Sequence, residues 1–201
     1  MIVAYRLSID DDDSHFLGDE SFRPPQSAGF HDWRFGRAEH PHPATCPTCG
    51  RKTDPDFINP SFRVKRRRRD IVATADGYCL ASERFRRYCA SQPWEGVKFL
   101  PLPADPDFFV FRPTLVLPFD AARRGTRFEN PCPTCREYYN VIGATPVYLV
   151  GIERIQDGLY RTDLEFGSGP EQQPVTLAGI SSGEELRKQK FTGLTLCPVA
   201  T

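Results

Sequence analysis

The sequence has no net charge, because 26 Lys and Arg residues balance 26 Asp and Glu residues in a chain of 201. A balanced chain has no global field to draw it onto a nucleic acid or an anionic membrane, so a charged partner must be recognised by a local patch. The sequence also lacks an apolar run approaching the roughly 20 residues that a membrane helix needs. We therefore expect a soluble protein that does not enter a membrane.

The first residues lack the features of an export signal. Residues 1–9 have no basic start, no long apolar run and no small-residue cleavage site before the acidic run at residues 10–13. Seven cysteines in such a chain favour reduced thiols and metal binding, because a disulfide framework belongs to exported domains and usually leaves an even count. We expect a cytoplasmic location in a bacterial type of cell.

What the sequence does contain is the tetrapeptide CPTC in two copies. The first copy supplies Cys46 and Cys49, and the second supplies Cys132 and Cys135. Each CxxC turn can present two sulfurs to one ion, so two turns complete the tetrahedron of a structural zinc site with four cysteine ligands. Such a site has no open position for catalysis. Residues 50–131 exceed the usual insertion in a zinc ribbon, so this Zn²⁺ would join distant parts of the fold.

Other interpretations of the cysteines and nearby histidines are less well supported. A thioredoxin-like redox pair needs one CxxC at the start of a helix, and no helical period follows either motif. His40 and His42 could replace one thiolate, but two CxxC pairs already supply four ligands. Cys79, Cys89 and Cys197 have no second ligand at chelating spacing. We expect them to be small buried packing residues, with extra metal ligation or thiol reactivity as the alternative.

Strand patterns dominate the rest of the chain. Residues 3–9 alternate apolar and polar side chains with the period of a half-buried strand. Ser82 is placed to cap a short helix up to residue 89, and a second short helix precedes a last strand. Residues 10–43 are predicted mostly as loop, and the acidic run within them suits a solvated turn. Further strands are predicted at residues 62–65, 70–73, 97–100, 108–111, 114–117, 139–142, 147–150, 159–166 and 175–178.

The C-terminal segment repeats a pattern found earlier in the chain. Residues 96–102 and residues 193–199 share the order Gly, apolar, polar, apolar, any, Pro, apolar, and each segment follows a short helix. The fold class is therefore α+β, a single domain (1–201) of mostly antiparallel strands with two short helices. It has two candidate duplicated halves, 1–103 and 104–201, joined by a zinc-ribbon-like pair of knuckles. Coincidence between two ordinary helix-to-strand connections is the alternative.

The local concentration of positive charge is the basic run Lys65, Arg66, Arg67, Arg68 and Arg69. Beside a zinc knuckle such a run is compatible with a zinc-ribbon protein that binds nucleic acid. It is equally typical of a solvated edge strand, and no aromatic pattern of an RNA-binding motif accompanies it. We keep nucleic-acid binding as the alternative function. The sequence shows no nucleophile beside a base, no phosphate-binding loop and no open metal site, so we do not expect an enzyme. An enzyme would need a pocket in which polar groups converge, and a sequence cannot reveal such a pocket.

Two CxxC knuckles lie around a long insert, and the segment TGLTL at residues 192–196 follows a short helix. In these features the chain resembles the double-CXXCG motif family. This family is known chiefly as a large paralogous set in myxobacteria. Its pattern places Gly after each second cysteine, which Gly50 matches and Arg136 does not. The resemblance implies a structural zinc site at the four motif cysteines. Because members include immunity proteins of swarm-inhibition toxin systems, it also implies a non-catalytic protein that binds a cognate toxin or another protein.

Overall fold

The structure, a computed structural model, describes residues 1–18, 36–37, 40–152 and 154–200. Strands form most of its regular elements, and nearly all of their pairings are antiparallel. The predicted α+β class is therefore confirmed, including short helices and a cluster of the four motif cysteines. Part of the predicted loop at residues 10–43 lies outside the described residues.

The regular elements within the described residues are numbered in chain order. The strands are β1 (Ile2–Ile9), β2 (Gly36–Arg37), β3 (His40–Pro41), β4 (Ile71–Ala73), β5 (Cys79–Ser82), β6 (Val97–Pro101), β7 (Phe108–Pro113), β8 (Leu115–Leu117), β9 (Arg127–Pro131), β10 (Tyr138–Ile142), β11 (Leu159–Ser168), β12 (Gln173–Ala178) and β13 (Leu194–Ala200). The helices are α1 (Glu83–Ala90), α2 (Ala121–Arg124) and α3 (Ile180–Gln189), and a 3-10 turn covers Gly169–Glu171. No helix in the described ranges has the length and hydropathy needed to cross a membrane.

Two sheets contain most of the strands. The smaller sheet has the order β4-β5-β7-β6, and the larger has the order β13-β1-β12-β11-β10-β9, with β8 parallel to β11. Helix α1 connects β5 to β6 and begins as predicted at Ser82, whose Oγ accepts a hydrogen bond from the Phe85 N–H. Helix α3 connects β12 to β13, and its N-cap residue, Gly179, has no side chain to form a capping hydrogen bond.

The two sheets contain matching units. In the smaller sheet, α1 joins β5 to β6, and β7 lies between these two strands and antiparallel to both. In the larger sheet, α3 joins β12 to β13, and β1 lies between these two strands and antiparallel to both. Gly96 and Gly193, which start the repeated pattern, both have positive φ, at 70° and 86°. Strand β7 lies after residue 103 and β1 lies before it. Each unit thus takes strands from both sides of residue 103, and the division of the chain into duplicated halves stays a prediction.

A shared hydrophobic cluster packs between the units. The rings of Phe85 on α1 and Phe191 after α3 lie 4.9 Å apart in a T-shaped contact. Ile71 of the first sheet and Leu159 of the second are fully buried in the same cluster, together with Leu186 of α3. Burial of such side chains is the main favourable term in folding, so this cluster stabilises both units at once.

Two predicted strands are absent, and the prediction was wrong at both places. Residues 62–65 bury alternate side chains, but aspartates accept their backbone N–H groups in place of a neighbouring strand. Asp105 Oδ2 accepts from Val64 at 3.1 Å, and Asp12, which is fully buried, accepts from Lys65 at 3.0 Å. The acidic run is thus only partly a solvated turn. Residues 147–150 form only an isolated bridge at Leu149.

Candidate metal centre

The first CPTC motif lies in a tight turn closed by backbone hydrogen bonds. The Cys46 N–H donates to the Arg51 carbonyl at 2.8 Å, and the Gly50 N–H donates to the Cys46 carbonyl at 2.8 Å. Just outside the turn, Thr45 and Lys52 form an antiparallel bridge. Gly50 has φ of 73°, a left-handed conformation that glycine adopts without steric cost.

The second motif repeats this geometry 86 residues later. The Cys132 N–H donates to the Glu137 carbonyl at 2.7 Å, and the Arg136 N–H donates to the Cys132 carbonyl at 2.9 Å. Pro131 and Tyr138 pair across the hairpin of β9 and β10. Arg136 adopts φ of 63°, so the left-handed turn persists without glycine. Both motifs lie in hairpin turns and neither begins a helix, which differs from the arrangement of a thioredoxin-like redox pair.

The two turns face each other and bring the four sulfurs together. The Sγ atoms of Cys46 and Cys132 are 3.8 Å apart, those of Cys49 and Cys135 are 3.6 Å apart, and all four lie within 4.8 Å of one another. A tetrahedron with metal–sulfur bonds of about 2.3 Å has edges of about 3.8 Å. All four thiols are free. The cluster can therefore bind one metal ion, and the residues present fit it.

Burial shapes the acidity of these thiols. Cys46, Cys49 and Cys132 are buried, and Cys135 is partly exposed. Burial raises the pKa of the Cys49 thiol. Burial also acts to raise the pKa of Cys132, but hydrogen bonds from the backbone N–H groups of Cys135 and Thr134 outweigh it and lower that pKa to about 7. A cation at the centre would stabilise all four thiolates, which is how metal binding releases protons.

One buried amide connects the two knuckles behind the sulfurs. Gln172 is 1% exposed, and its Nε2 donates to the carbonyls of Tyr138 at 2.8 Å and Tyr139 at 2.9 Å, next to the second motif. Its Oε1 accepts from Arg51 Nε at 2.9 Å, next to the first motif. Arg51 also forms an ion pair with Glu165 at 3.4 Å. Sequence reasoning missed Gln172, because nothing in its local pattern distinguishes it from a polar turn residue.

A second connection lies on the outer side of the cluster. The hydroxyls of Thr48 and Thr134, the equivalent residues of the two motifs, are 2.6 Å apart and share a hydrogen bond. The repeated threonine in CPTC is the sequence signal that could have indicated this contact. The two turns thus touch through both their sulfurs and their hydroxyls.

The remaining cysteines and histidines do not join the cluster within the part of the chain that the structure describes. Cys89 is buried as predicted, and burial raises its pKa to about 12. Cys79 and Cys197 are only partly buried, which corrects the expectation of full burial, because each lies in a strand near a sheet edge or cleft. His42 Nδ1 accepts a hydrogen bond from the Ala44 N–H at 3.1 Å. The side chain of His40 lies outside the described residues.

The basic run lies against acidic side chains. Lys65 donates to the Asp13 carbonyl, Arg66 pairs with Asp13, Arg67 pairs with Asp105 and Asp107, and Arg69 pairs with Asp10. Arg68 is exposed and forms no ion pair with any residue in the described ranges. Because most of this positive charge is matched locally, the run offers little of the unpaired basic surface on which nucleic-acid binding depends.

Comparison with known proteins gives no family for this chain. No protein-family model matches it, and no curated protein matches it. The fold and the site therefore define a class by themselves: an α+β protein in which two CxxC hairpins form one four-cysteine cluster that can bind a metal ion.

Proposed function

We propose that this chain is a non-catalytic zinc protein that acts by binding another protein, as an immunity protein that neutralises a toxin. The observation that carries the zinc assignment is the four-sulfur cluster, with Sγ separations of 3.6 Å and 3.8 Å across the two knuckles. Tetrahedral sites of four thiolates are typical of zinc or iron. Four protein ligands leave no open position for water or substrate, so the ion stabilises the fold and does not catalyse.

The binding half of the proposal is supported by the resemblance to the double-CXXCG family and by one exposed surface. Phe128 and Tyr138, on the hairpin that carries the second knuckle, are 38% and 39% exposed, and their rings lie 5.3 Å apart. Ile142 on the same hairpin is also exposed. Exposed aromatic side chains on a rigid element are typical of protein interfaces. A metal bound at the turn of this hairpin would help to hold these side chains in place.

The zinc assignment is tested by elemental analysis of the purified chain. We expect one zinc per chain, and we expect Cys132→Ser to lose both the metal and the fold. Cys197→Ser is the matched control, because Cys197 lies outside the cluster, and it should keep the metal. Zinc-free protein that is fully folded would refute the structural site, and one iron per chain would refute the identity of the metal.

Toxin binding is tested by co-expression with the product of the neighbouring gene. We expect a stable complex on size exclusion and rescue of cell growth. Tyr138→Ala should raise the Kd of the complex at least tenfold and reduce the rescue. Val150→Ala, another exposed apolar position, is the control and should bind as the unmodified chain does. Absence of any stable protein complex would argue against the proposal. Binding to nucleic acid at low salt that is lost on neutralising Arg66 to Arg69 would favour the alternative.

A further inference from the structure

A cleft opens between the two sheets, behind the metal cluster. Its volume is about 90 Å³, several times the roughly 10–15 Å³ that one water needs on the same measure. The first sheet contributes residues of β7, and the second contributes residues of β11 and β12. Lys52 and Tyr78 line it from the segments before β4 and β5. The cleft is separate from the four sulfurs and from the exposed hairpin, so it is independent of the proposed function.

Two polar atoms in the lining have no hydrogen-bond partner among the described residues. They are Tyr78 Oη and Arg161 Nε, and both atoms are buried. Tyr78 as a whole is 6% exposed. Buried polar groups are almost always paired, and a group left unpaired costs about 1–3 kcal/mol. The two groups belong to residues that line the same cleft, Tyr78 in the segment before β5 and Arg161 on β11, and they indicate a bound partner that accepts hydrogen bonds.

The charges in the lining favour an anion. Lys52, Arg112 and Arg161 are cationic, and Glu165 is the only acidic side chain that lines the cleft among the described residues. Glu165 already pairs with Arg51. Arg112 is likewise paired, with Asp56 at 2.9 Å. Lys52 and Arg161 form no ion pair among the described residues, so they leave the lining with a net positive charge, and Tyr78 Oη and Arg161 Nε are unused donors.

Lys52 is held so that one of its N–H groups remains available. Its ammonium donates to the carbonyls of Asp76 at 2.6 Å and Pro170 at 2.9 Å, which uses two of its three donors. Burial lowers the pKa of Lys52 to about 8, so the group remains largely protonated at neutral pH. A buried cation of this kind strengthens a charge-assisted hydrogen bond to an anion.

The walls of the cleft are apolar. Val110, Phe111, Pro113 and Pro174 line it between the polar groups. An inorganic anion would leave this surface uncovered, whereas an organic acid would place its hydrocarbon part against it. We infer that the cleft binds a small organic carboxylate, whose oxygens accept hydrogen bonds from Tyr78 Oη and Arg161 Nε and whose apolar part packs against Val110 and Pro174.

The inference is tested by calorimetric titration of the metal-loaded chain with benzoate. Benzylamine, of similar shape and opposite charge, and inorganic phosphate serve as comparison probes. We expect saturable binding of benzoate, no binding of benzylamine, and phosphate binding at least tenfold weaker than that of benzoate. Equal binding of benzylamine, or no saturable binding of benzoate, overturns the inference. Phosphate binding without benzoate binding overturns the carboxylate assignment.

Two variants localise the binding. Tyr78→Phe removes only the unpaired hydroxyl, so we expect a thermal midpoint without ligand that is no lower than that of the unmodified chain, and at least tenfold weaker benzoate binding. Arg161→Gln should weaken binding by a similar factor. Tyr88→Phe, on α1 and outside the cleft, is the matched control and should bind benzoate normally. Benzoate binding that is unaffected by both cleft variants overturns the inference.

Discussion

The two knuckles share a backbone geometry but differ in how they are anchored. After the first motif, Arg51 contacts Gln172 and Glu165, and the Lys52 ammonium donates to two carbonyls of distant segments. The second motif lies between β9 and β10, where β9 is the edge strand of the larger sheet and carries mostly exposed side chains. The first knuckle is therefore fixed by its own side chains. The second is held by Gln172 and by its contacts with the first knuckle, and a shared ion would hold it further.

This difference shows what a metal would do in the fold. A ligand set divided between a well-anchored turn and an edge hairpin lets one ion hold the hairpin against the body of the protein. The free energy of metal binding then becomes free energy of folding. Four experiments can test this difference in anchoring. In order of decreasing expected effect, they remove a cysteine ligand, remove the Gln172 amide, compare the reactivity of the thiols, and change the residue in the left-handed turn.

Loss of one cysteine ligand should have the same effect on stability in either knuckle. Cys49→Ser and Cys132→Ser should both lose the metal and unfold, because structural zinc contributes about 10–16 kcal/mol in small domains, as much as the roughly 5–15 kcal/mol stability of a whole protein. Far-ultraviolet circular dichroism with metal analysis measures this. If only one variant unfolds, the two knuckles do not share one structural ion.

Removal of the buried amide should separate the knuckles without removing a ligand. Gln172→Ala leaves the carbonyls of Tyr138 and Tyr139 without their donor and Arg51 without its acceptor, so we expect a loss of about 3 kcal/mol in the free energy of unfolding. Urea unfolding of the metal-loaded chain measures it. Gln173→Ala, at an exposed neighbouring position, should change stability by less than about 0.5 kcal/mol. Equal effects would show that the amide contacts contribute nothing.

Thiol reactivity should distinguish the two knuckles once the metal is removed. We expect Cys132 to be alkylated about tenfold faster than Cys49 in the first moments after chelation, because hydrogen bonds lower the pKa of the Cys132 thiol to about 7. Burial raises the pKa of Cys49 and slows its reaction. Pulsed alkylation with mass spectrometry measures the rates. Cys89 should stay unmodified until global unfolding, and faster reaction of the first knuckle would contradict the difference in anchoring.

The residue after each second cysteine should have opposite effects in the two knuckles. Gly50→Ala places a Cβ at φ of 73° and should cost about 1–2 kcal/mol. Arg136→Gly relieves the same conformation at φ of 63° and should gain about 0.5–1 kcal/mol, the net of this relief and the higher entropy that glycine gives the unfolded chain. Urea unfolding of both variants in the metal-loaded state measures the difference. A loss of stability in Arg136→Gly would show that the Arg136 side chain has a packing role.

Sequence reasoning predicted the fold class because period-two patterns and the serine cap are local signals. The strand β1 and the helix α1 follow them directly. It missed β5, because the four residues CLAS are too few to show a strand period. It predicted a strand at residues 62–65, but buried aspartates accept the N–H groups of Val64 and Lys65, and no strand among the described residues pairs with this segment.

The cysteines of the site were predictable because CxxC spacing alone places two sulfurs near one ion. Their shared location follows from the structure of two equal hairpins, which the repeated CPTC already indicates. Gln172 and the cleft at Tyr78 were not predictable. Both depend on the approach of two sheets through contacts that are distant along the chain, as in the separation of 121 residues between Arg51 and Gln172.

The position of β1 has a consequence for biosynthesis. Strand β1 pairs with β13 along nearly its whole length, from Ile2 opposite Ala200 to Ile9 opposite Leu194, and it also pairs with β12. Strand β1 is therefore synthesised long before its partners β12 and β13, while the smaller sheet can close once β7 has been made. Non-local pairing of this kind slows folding and leaves strand edges exposed during synthesis. A growing chain would thus pass through a state in which the smaller sheet is formed and β1 is still unpaired.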